Sequence, residues 1–217
     1  MKLKSNNFDL VKKSYLKPDN ELRSSKFETD LSGTTGVSLL LIGNKIICFN
    51  VGDSRAIMVQ EKKVSHNNVL VPVQLSRDQK PDLPEEKERI IRCGGQVNKL
   101  GDDDDDIGPF RVWVKGENYP GLAMSRSIAD FAAKSVGVIA DPEIFEFDIT
   151  SDTKFIVVAS DGVWEFLSNK QVMDIVNRYY KVNDIQKAAD KVIEEATRYW
   201  KEEDEIIDDI TVVVVFF

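Results

Sequence analysis

Short apolar runs separated by tight polar turns are the feature that most restricts the folds open to this chain. From residue 37 onward, four runs rich in β-branched residues follow one another: Val37–Ile42, Lys45–Val51, Arg55–Gln60 and Asn68–Leu75. Only Gly43 and Asn44 separate the first two runs, and a two-residue Gly-Asn loop is typical of a primed hairpin turn. We therefore predict an antiparallel meander in which Asp53 lies exposed in the second turn.

The last third of the chain predicts two buried strands on either side of a helical hairpin. Lys154–Ser160 and Ile210–Phe217 are continuous apolar runs, which are typical of strands covered on both faces. Ser168 and Gln171 have the spacing of a helix capping box. Two apolar stripes at helical spacing follow: Val172, Ile175, Val176 and Tyr179, then Ile185, Ala188, Ala189, Val192, Ile193, Ala196 and Trp200. This hairpin would return the chain close to the point where it left the first strand.

Three further helices are predicted from local signals. The polar segment 1–30 carries one apolar stripe and is expected to form a weakly structured or helical lead-in. The members of the stripe are Phe8, Val11, Tyr15 and Leu16. We expect this helix to end at Pro18-Asp19-Asn20. A short helix over Glu85–Cys93 is stopped by Gly94-Gly95, and another is expected over Ser127–Lys134.

Length and composition limit the classes of function. The 217 residues fit one domain at roughly 150 residues per domain, and a net charge of −8 argues against nucleic acids and anionic membranes as partners. No apolar run approaches the roughly 20 residues of a membrane-spanning helix. No signal peptide is visible after Met1, and neither Cys48 nor Cys93 has a Cys-x-x-Cys spacing. We therefore expect a soluble protein of the cytoplasm or nucleus.

Acidic residues flank the two predicted strands of the last third. Asp161 directly follows the strand that ends at Ser160, and Asp208 and Asp209 directly precede the terminal strand. If these strands are antiparallel neighbours, Asp161 and Asp208 meet at one edge of the sheet. Two carboxylates held together repel unless they share a cation or a proton, and Mg²⁺ and Mn²⁺ prefer oxygen ligands. The pattern therefore predicts a metal site.

Each of these residues also has a simpler interpretation. Aspartates are common in turns, so Asp53 in its Gly-Asp-Ser turn is ambiguous, and Asp161 also suits a helix N-cap. The five aspartates at 102–106 are interpreted as a solvated loop, and an acidic cation-binding module centred on them lacks a preformed cage. His66 lies in a polar stretch with no acid beside it and is interpreted as a surface residue.

A set of short motifs occurs in a fixed order along the chain. The motifs are Ser32-Gly33-Thr34-Thr35, Val51-Gly52-Asp53-Ser54-Arg55-Ala56, Asp78-Gln79-Lys80-Pro81, Glu88-Arg89-Ile90, Gly94-Gly95-Gln96-Val97, Pro109–Trp113, Pro120–Ser127, Ala159–Glu165 and Asp208–Val212. Each motif alone is weak evidence for a family. A match of all of them, in the same order over about 180 residues, is implausible by chance. On these motifs the sequence resembles the metal-dependent protein serine/threonine phosphatases of the PP2C (PPM) type.

The resemblance implies a fold and a reaction. The fold is of the α+β class, an α/β/β/α sandwich of two antiparallel sheets flanked by helices. The reaction is the hydrolysis of phosphoserine and phosphothreonine in proteins. It uses two Mg²⁺ or Mn²⁺ ions, or three in the complete family site, and a metal-bridging hydroxide that attacks phosphorus in line.

The resemblance also assigns roles to individual residues. Asp161 and Asp208 match ligands of the core metal site and are therefore the catalytic candidates. Asp53 matches a ligand of an additional, weaker site, where Glu165 replaces a usual aspartate. The segment near the substrate flap contains Ser125 and Arg126, and Ala129 replaces a usual glycine just after them.

The family's first strands and its Asp-Gly-His-Gly block have no counterpart in this sequence. That block supplies a bridging aspartate and the proposed general-acid histidine, and His66 does not match it. The resemblance thus implies a single PP2C-like domain over 1–217 that lacks its N-terminal part. Two hypotheses follow: part of a phosphatase, or a catalytically inactive phosphatase-like domain that binds or regulates. We expect residues 1–217 alone to release little phosphate in Mn²⁺.

Overall fold

The computed structural model describes residues 5–101, 107–204 and 206–217. The aspartates at 102–106, interpreted above as a solvated loop, lie outside these residues. The chain forms two compact units. The first unit comprises Met1–Gly36, Phe49–Asp53 and Asp78–Ile144, and the second comprises Val37–Cys48, Ser54–Arg77 and Phe145–Phe217. A single domain over 1–217 stays a prediction.

The described residues form six helices and twelve strands. The helices are α1 (Ser5–Arg23), α2 (Pro84–Arg92), α3 (Phe131–Lys134), α4 (Asp161–Trp164), α5 (Asn169–Tyr180) and α6 (Ile185–Glu203). The strands are β1 (Gly33–Thr34), β2 (Gly36–Ile42), β3 (Lys45–Val51), β4 (Arg55–Val64), β5 (Asn67–Gln74), β6 (Gly95–Leu100), β7 (Ile107–Val114), β8 (Pro120–Leu122), β9 (Ile128–Ala129), β10 (Glu143–Asp148), β11 (Thr153–Ala159) and β12 (Val212–Phe216). No helix in the described part of the chain is both long and apolar enough to cross a membrane.

The second unit contains two sheets that face each other. One has the strand order β12-β11-β4-β5, antiparallel throughout, and the other has the order β10-β3-β2. Side chains alternate between the faces of a strand, so Ala56 and Met58 of β4 pack with Ile46 and Cys48 of β3 between the sheets. Burial there raises the pKa of the Cys48 thiol to about 12.

The opposite face of the four-stranded sheet is covered by the helical hairpin. Ile57 of β4 and Phe155 of β11 belong to one buried cluster with Val172 of α5 and Val192 of α6. Both sides of β11 are therefore covered, as its continuous apolar run predicted. The α+β class and the facing sheets are confirmed.

The first unit is built around a smaller core. Strands β6, β7 and β8 form one sheet, and β1 pairs with β9. Ile90 of α2 and Ala133 of α3 are fully buried against Val97 of β6 and Val112 of β7. The predicted helix over Glu85–Cys93 is confirmed and begins one residue earlier, at Pro84.

The predicted meander is wrong at its second turn. Strands β2 and β3 are neighbours, and Gly43 has the positive φ of 59° that a primed turn needs. Strand β4, however, lies in the other sheet, so the chain crosses between sheets at residues 52–54. Asp53 was expected to be exposed and is only 2% exposed. Two apolar runs joined by a tight turn look alike in a hairpin and in such a crossing, because only contacts distant in sequence distinguish them.

Two predicted boundaries are also wrong, each because of tertiary contacts. Helix α1 does not end at Pro18 but continues to Arg23, and Asp19 in its last part accepts hydrogen bonds from the backbone N of Ala129 at 2.8 Å. The helix expected over Ser127–Lys134 is only α3, because Ala129 and Asp130 have φ of 66° and 52°. Residues in the left-handed backbone conformation cannot continue a right-handed helix.

The terminal strand was predicted to be buried and is instead an edge strand. Strand β12 lies at the end of its sheet and pairs with β11 on one side. Val213, the second residue of this strand, is 51% exposed. An apolar run indicates a strand, but its place in the sheet depends on which other strands pair with it.

The capping box at the start of α5 is confirmed and gives a first prediction. The side chain of Ser168 accepts from the N–H of Gln171, and the side chain of Gln171 accepts from the N–H of Ser168 at 3.0 Å. Ser168→Ala should lower the free energy of unfolding by about 1 kcal/mol, because it leaves helix N–H groups unpaired. Urea denaturation measures this loss. Ser151→Ala, in an exposed turn, is the control and should change stability by less than about 0.5 kcal/mol.

Candidate functional site

The segment after β11 lies directly against the segment before β12. The N–H of Ser160 donates to the carbonyl of Thr211 at 3.1 Å, and its Oγ accepts from the N–H of Thr211 at 3.0 Å. The same Oγ donates to the carbonyl of Asp209 at 3.1 Å. Asp161 follows Ser160 and Asp208 precedes Asp209, so the structure brings the backbones on either side of both aspartates together. Binding of one ion by both side chains stays a prediction.

Asp161 is the first residue of α4, and Ser160 is the N-cap residue. The alternative interpretation of Asp161 as the N-cap is therefore wrong. Asp161 is half-buried, and its carbonyl accepts from the N–H of Glu165 at 2.8 Å. Residues four apart lie on the same side of a helical turn. Glu165 thus lies on the Asp161 side of this turn, with its own side chain exposed.

Two tryptophans fix the backbone on either side of Asp161. The indole N–H of Trp164 donates to the carbonyl of Ala159 at 2.9 Å, and that of Trp200 donates to the carbonyl of Gly162 at 2.7 Å. A Cβ at Gly162 would lie 2.4 Å from the carbonyl oxygen of Asp209, so only glycine allows this close approach. The sequence placed Trp200 on an apolar helix face, but nothing in the pattern indicated the bond to Gly162.

Asp208 precedes β12 in an exposed segment. One of its carboxylate oxygens, Oδ1, accepts from the N–H of Asp209 at 2.7 Å. This bond is the turn interaction that was weighed as the simpler interpretation of such aspartates. It engages one oxygen and is compatible with metal ligation by the other.

Asp53 occupies a buried position at the end of the first unit's middle segment. Its Oδ2 accepts from the ammonium of Lys80 at 2.6 Å, whereas its buried Oδ1 has no hydrogen-bond partner among the described residues. The fully buried Gln79 side chain holds the preceding backbone, because its Oε1 accepts from the N–H of Gly52 at 2.7 Å and its Nε2 donates to the carbonyl of Asn50 at 3.1 Å. Sequence reasoning did not identify Gln79 or Lys80 as supports for Asp53.

The two residues predicted near the substrate flap lie in a buried ion cluster. Glu86 Oε2 accepts from Ser125 Oγ at 2.6 Å and from Arg89 at 2.7 Å, and Glu86 Oε1 accepts from Arg126 at 2.7 Å. Burial alone would raise the pKa of Glu86, but the hydrogen bonds from Arg89, Arg126 and Ser125 outweigh it and lower the pKa to about 2. Apart from its helical i, i+3 spacing to Arg89, no pattern in the sequence singled out Glu86.

The carboxylates of the site suit a hard divalent cation. Within residues 5–101, 107–204 and 206–217, no three His, Cys, Asp or Glu side chains are grouped so as to hold a metal by themselves. Mg²⁺ is nevertheless commonly bound through one or two carboxylates while it keeps several waters. An unpaired buried carboxylate oxygen costs free energy, so the orphaned Oδ1 of Asp53 fits a role as a ligand.

The sequence profile named Protein phosphatase 2C matches residues 2–204. The chain belongs to the protein phosphatase 2C family. Enzymes of this family depend on divalent metal ions, and the ligands predicted above are all carboxylates. His66 is not part of the site and lies in an exposed turn, as predicted.

Relatives in plants extend beyond the matched region. Probable protein phosphatase 2C 73 of Arabidopsis thaliana is 41% identical over 220 residues, which cover 98% of this chain and 57% of that protein. Probable protein phosphatase 2C 64 of Oryza sativa subsp. japonica is 39% identical over 207 residues, 94% of this chain and 47% of that protein. The chain therefore spans about half the length of the curated relatives it matches.

Solved structures support the same fold. The serine-threonine phosphatase 2C from Toxoplasma gondii aligns with a TM-score of 0.80 at 24% identity, over 100% of this chain and 72% of that one. A C. elegans sex-determining protein aligns with a TM-score of 0.65 at 19% identity, over 93% of this chain and 51% of that one. At these identities the likeness concerns the fold of the phosphatase 2C family.

Proposed function

We propose that this chain carries the carboxylates of a protein serine/threonine phosphatase centre that binds Mg²⁺ or Mn²⁺. Asp161 and Asp208 are the catalytic metal ligands, and Asp53 and Glu165 serve an additional ion. The observation that carries the proposal is the three hydrogen bonds of Ser160 with Thr211 and Asp209, which hold the two ligand-bearing segments together. The substrates are phosphoserine and phosphothreonine proteins, and the expected compartment is the cytoplasm or nucleus.

Within this centre the protein supplies position and charge. When bound, the divalent ions supply Lewis acidity that activates water and neutralises phosphoryl oxygens. Asp161 is held at the start of α4 between two tryptophan-anchored carbonyls. Such anchoring limits the motion of a ligand, and a ligand held in place binds its ion without an ordering cost.

Ser125 and Arg126 have a supporting role in this proposal. Both are committed to buried Glu86, and the side chain of Arg126 is only 11% exposed. A side chain held this way anchors the base of segment 120–127, so other residues of the segment are left to contact a phosphoprotein. This keeps the flap assignment for the segment and makes the two residues its anchor.

The test compares single aspartate variants in a metal-dependent phosphatase assay. Asp161→Asn and Asp208→Asn should each lower the Mn²⁺-dependent release of phosphate from p-nitrophenyl phosphate and a phosphothreonine peptide by more than about 100-fold. Losing even a residue that supports a metal ligand costs about 10–100-fold. Asp174→Asn is the matched control and should keep the parent rate, because the Asp174 side chain is 46% exposed and pairs with Lys170 on the surface of α5.

The parent rate itself is expected to be low and above a chelator blank, because the Asp-Gly-His-Gly block of the family is absent. A complete plant relative serves as the positive control. Hydrolysis that is indifferent to Asp161→Asn would contradict the proposal. If the parent binds Mn²⁺ through Asp161 but shows no hydrolysis, the proposal is wrong, and the alternative of a catalytically inactive phosphatase-like binding domain takes its place.

A further inference from the structure

The buried carboxylate of Asp53 already has a cation beside it. The ammonium of Lys80 lies 2.6 Å from Oδ2, and the Asp53 side chain is 2% exposed. A carboxylate removed from water is costly without a counter-charge, and here Lys80 supplies one. The other oxygen, Oδ1, is buried and has no hydrogen-bond partner among the residues the structure describes. One oxygen is thus engaged by the protein and the other is open.

An ammonium and a divalent ion on one carboxylate oppose each other. A metal bound at Oδ1 would lie close to the ammonium on Oδ2, because both oxygens belong to the same carboxylate group. Like charges that close repel strongly where water is excluded. The metal must therefore bind against this repulsion or displace the ammonium.

The side chain of Lys80 is partly exposed to solvent. The exposed fraction is 31%, so the ammonium has a path to water. Its backbone is restrained on both sides, by the buried Gln79 before it and by Pro81, whose φ is fixed, after it. We therefore expect the release of Asp53 to involve the side chain of Lys80 and not its backbone.

We propose that Lys80 is an internal competitor of the metal at Asp53, neutralising the carboxylate in the metal-free protein and weakening the binding of a cation there. This inference rests on the proposed function, because it takes Asp53 as a metal ligand. It attributes to Lys80 the weaker metal binding that the family resemblance implies for the site of Asp53. It also makes the metal-free protein stable without an ion at Asp53.

The test measures Mn²⁺ binding to the whole chain by electron paramagnetic resonance and by the Mn²⁺-induced shift of Tm. Lys80→Met removes the charge and keeps the length of the side chain. It should lower Tm in a chelator, raise the Mn²⁺ affinity about tenfold, which corresponds to about 1.4 kcal/mol, and enlarge the Mn²⁺-induced shift. Lys80→Arg keeps the charge, so its Mn²⁺ affinity should stay within about threefold of the parent affinity.

Lys134→Met is the matched control for loss of a buried lysine. Lys134 is 6% exposed and lies 3.1 Å from Asp19, in the same unit as Lys80 but away from the predicted ligands in sequence. This variant should lower Tm equally with and without Mn²⁺. If Lys80→Met behaves like Lys134→Met, the Lys80–Asp53 pair is only structural and the inference is wrong.

A double variant separates Asp53 from every other Mn²⁺ site of the chain. Asp53→Asn should weaken Mn²⁺ binding, and adding Lys80→Met to it should change nothing further, because the competitor has lost its target. An effect of Lys80→Met that persists without Asp53 overturns the inference. If Asp53→Asn itself leaves Mn²⁺ binding unchanged, both the inference and the assigned role of Asp53 fail. The assay of Asp161→Asn still tests the phosphatase proposal separately in that case.

Discussion

Glu86→Gln is expected to lower the free energy of unfolding by about 3–5 kcal/mol. Glu86 is fully buried and accepts from Arg89, Arg126 and Ser125. The amide keeps the shape of the side chain but leaves two guanidinium groups facing a neutral partner in a buried place. Denaturation in urea at pH 7 measures the loss. Glu195→Gln, in an exposed pair with Arg198, is the control and should cost less than about 1 kcal/mol.

The same cluster predicts a dependence of stability on pH. The pKa of Glu86 falls from 4.5 to about 2 on folding. A lowered folded-state pKa stabilises the protein above the unfolded-state value and loses that stabilisation as the pH falls through the folded-state value. The stability gap between the parent and Glu86→Gln should therefore shrink between about pH 4.5 and 2, by on the order of 3 kcal/mol. A gap that stays constant in acid would contradict this account of the cluster.

Trp200→Ala should destabilise the protein by about 3–5 kcal/mol. Trp200 is 9% exposed, its ring meets Phe166 edge to face at 4.7 Å, and its N–H donates to the carbonyl of Gly162 at 2.7 Å. Removing the indole leaves a cavity and an unpaired carbonyl beside Asp161. Thermal and urea unfolding measure the loss, and Ile193→Ala on the same helix, where Ile193 is 37% exposed, should cost less than about 1 kcal/mol.

Trp200→Phe distinguishes packing from the hydrogen bond. Phenylalanine keeps an aromatic ring near Phe166 but loses the N–H together with part of the indole volume, so we expect a cost above the about 1–2 kcal/mol of the hydrogen bond and below that of Trp200→Ala. If the bond to Gly162 also steadies the start of α4, this variant should bind Mn²⁺ more weakly than its stability loss alone explains. Equal Mn²⁺ affinity in Trp200→Phe and the parent would limit Trp200 to a packing role.

Local signals were reliable where neighbours in sequence are also neighbours in space. The Gly43-Asn44 turn, the capping box of Ser168 and Gln171, and the apolar stripes of α5 and α6 all act within a few residues. The antiparallel pairing of β11 with β12, on which the predicted meeting of Asp161 and Asp208 was conditional, is present, and the helical hairpin between the strands returns the chain for it. The closeness of the Asp161 and Asp208 segments follows from that pairing.

Long-range contacts decided the features that the sequence left ambiguous. Asp53 is buried because β3 and β4 belong to different sheets, and β12 is an edge strand because β11 alone pairs with it. Helix α1 passes Pro18 with Asp19 bound to the backbone of Ala129. In each case the local pattern suits two structures, and the choice depends on residues far away in the chain.

By itself, the sequence determined most of the helices, the strands of residues 37–75 and of the last third, and the order of the motifs, since these depend on residue type and short spacing; the resemblance carried by those motifs implied the α+β class. Only the tertiary structure decided that Asp53 is buried beside Lys80, that Ser125 and Arg126 turn inward to Glu86, and that Trp200 holds Gly162. The physical reason is the same for all three. Burial and charge pairing are settled when segments 27 to 40 residues apart come into contact, and no short pattern records which partner each side chain will meet.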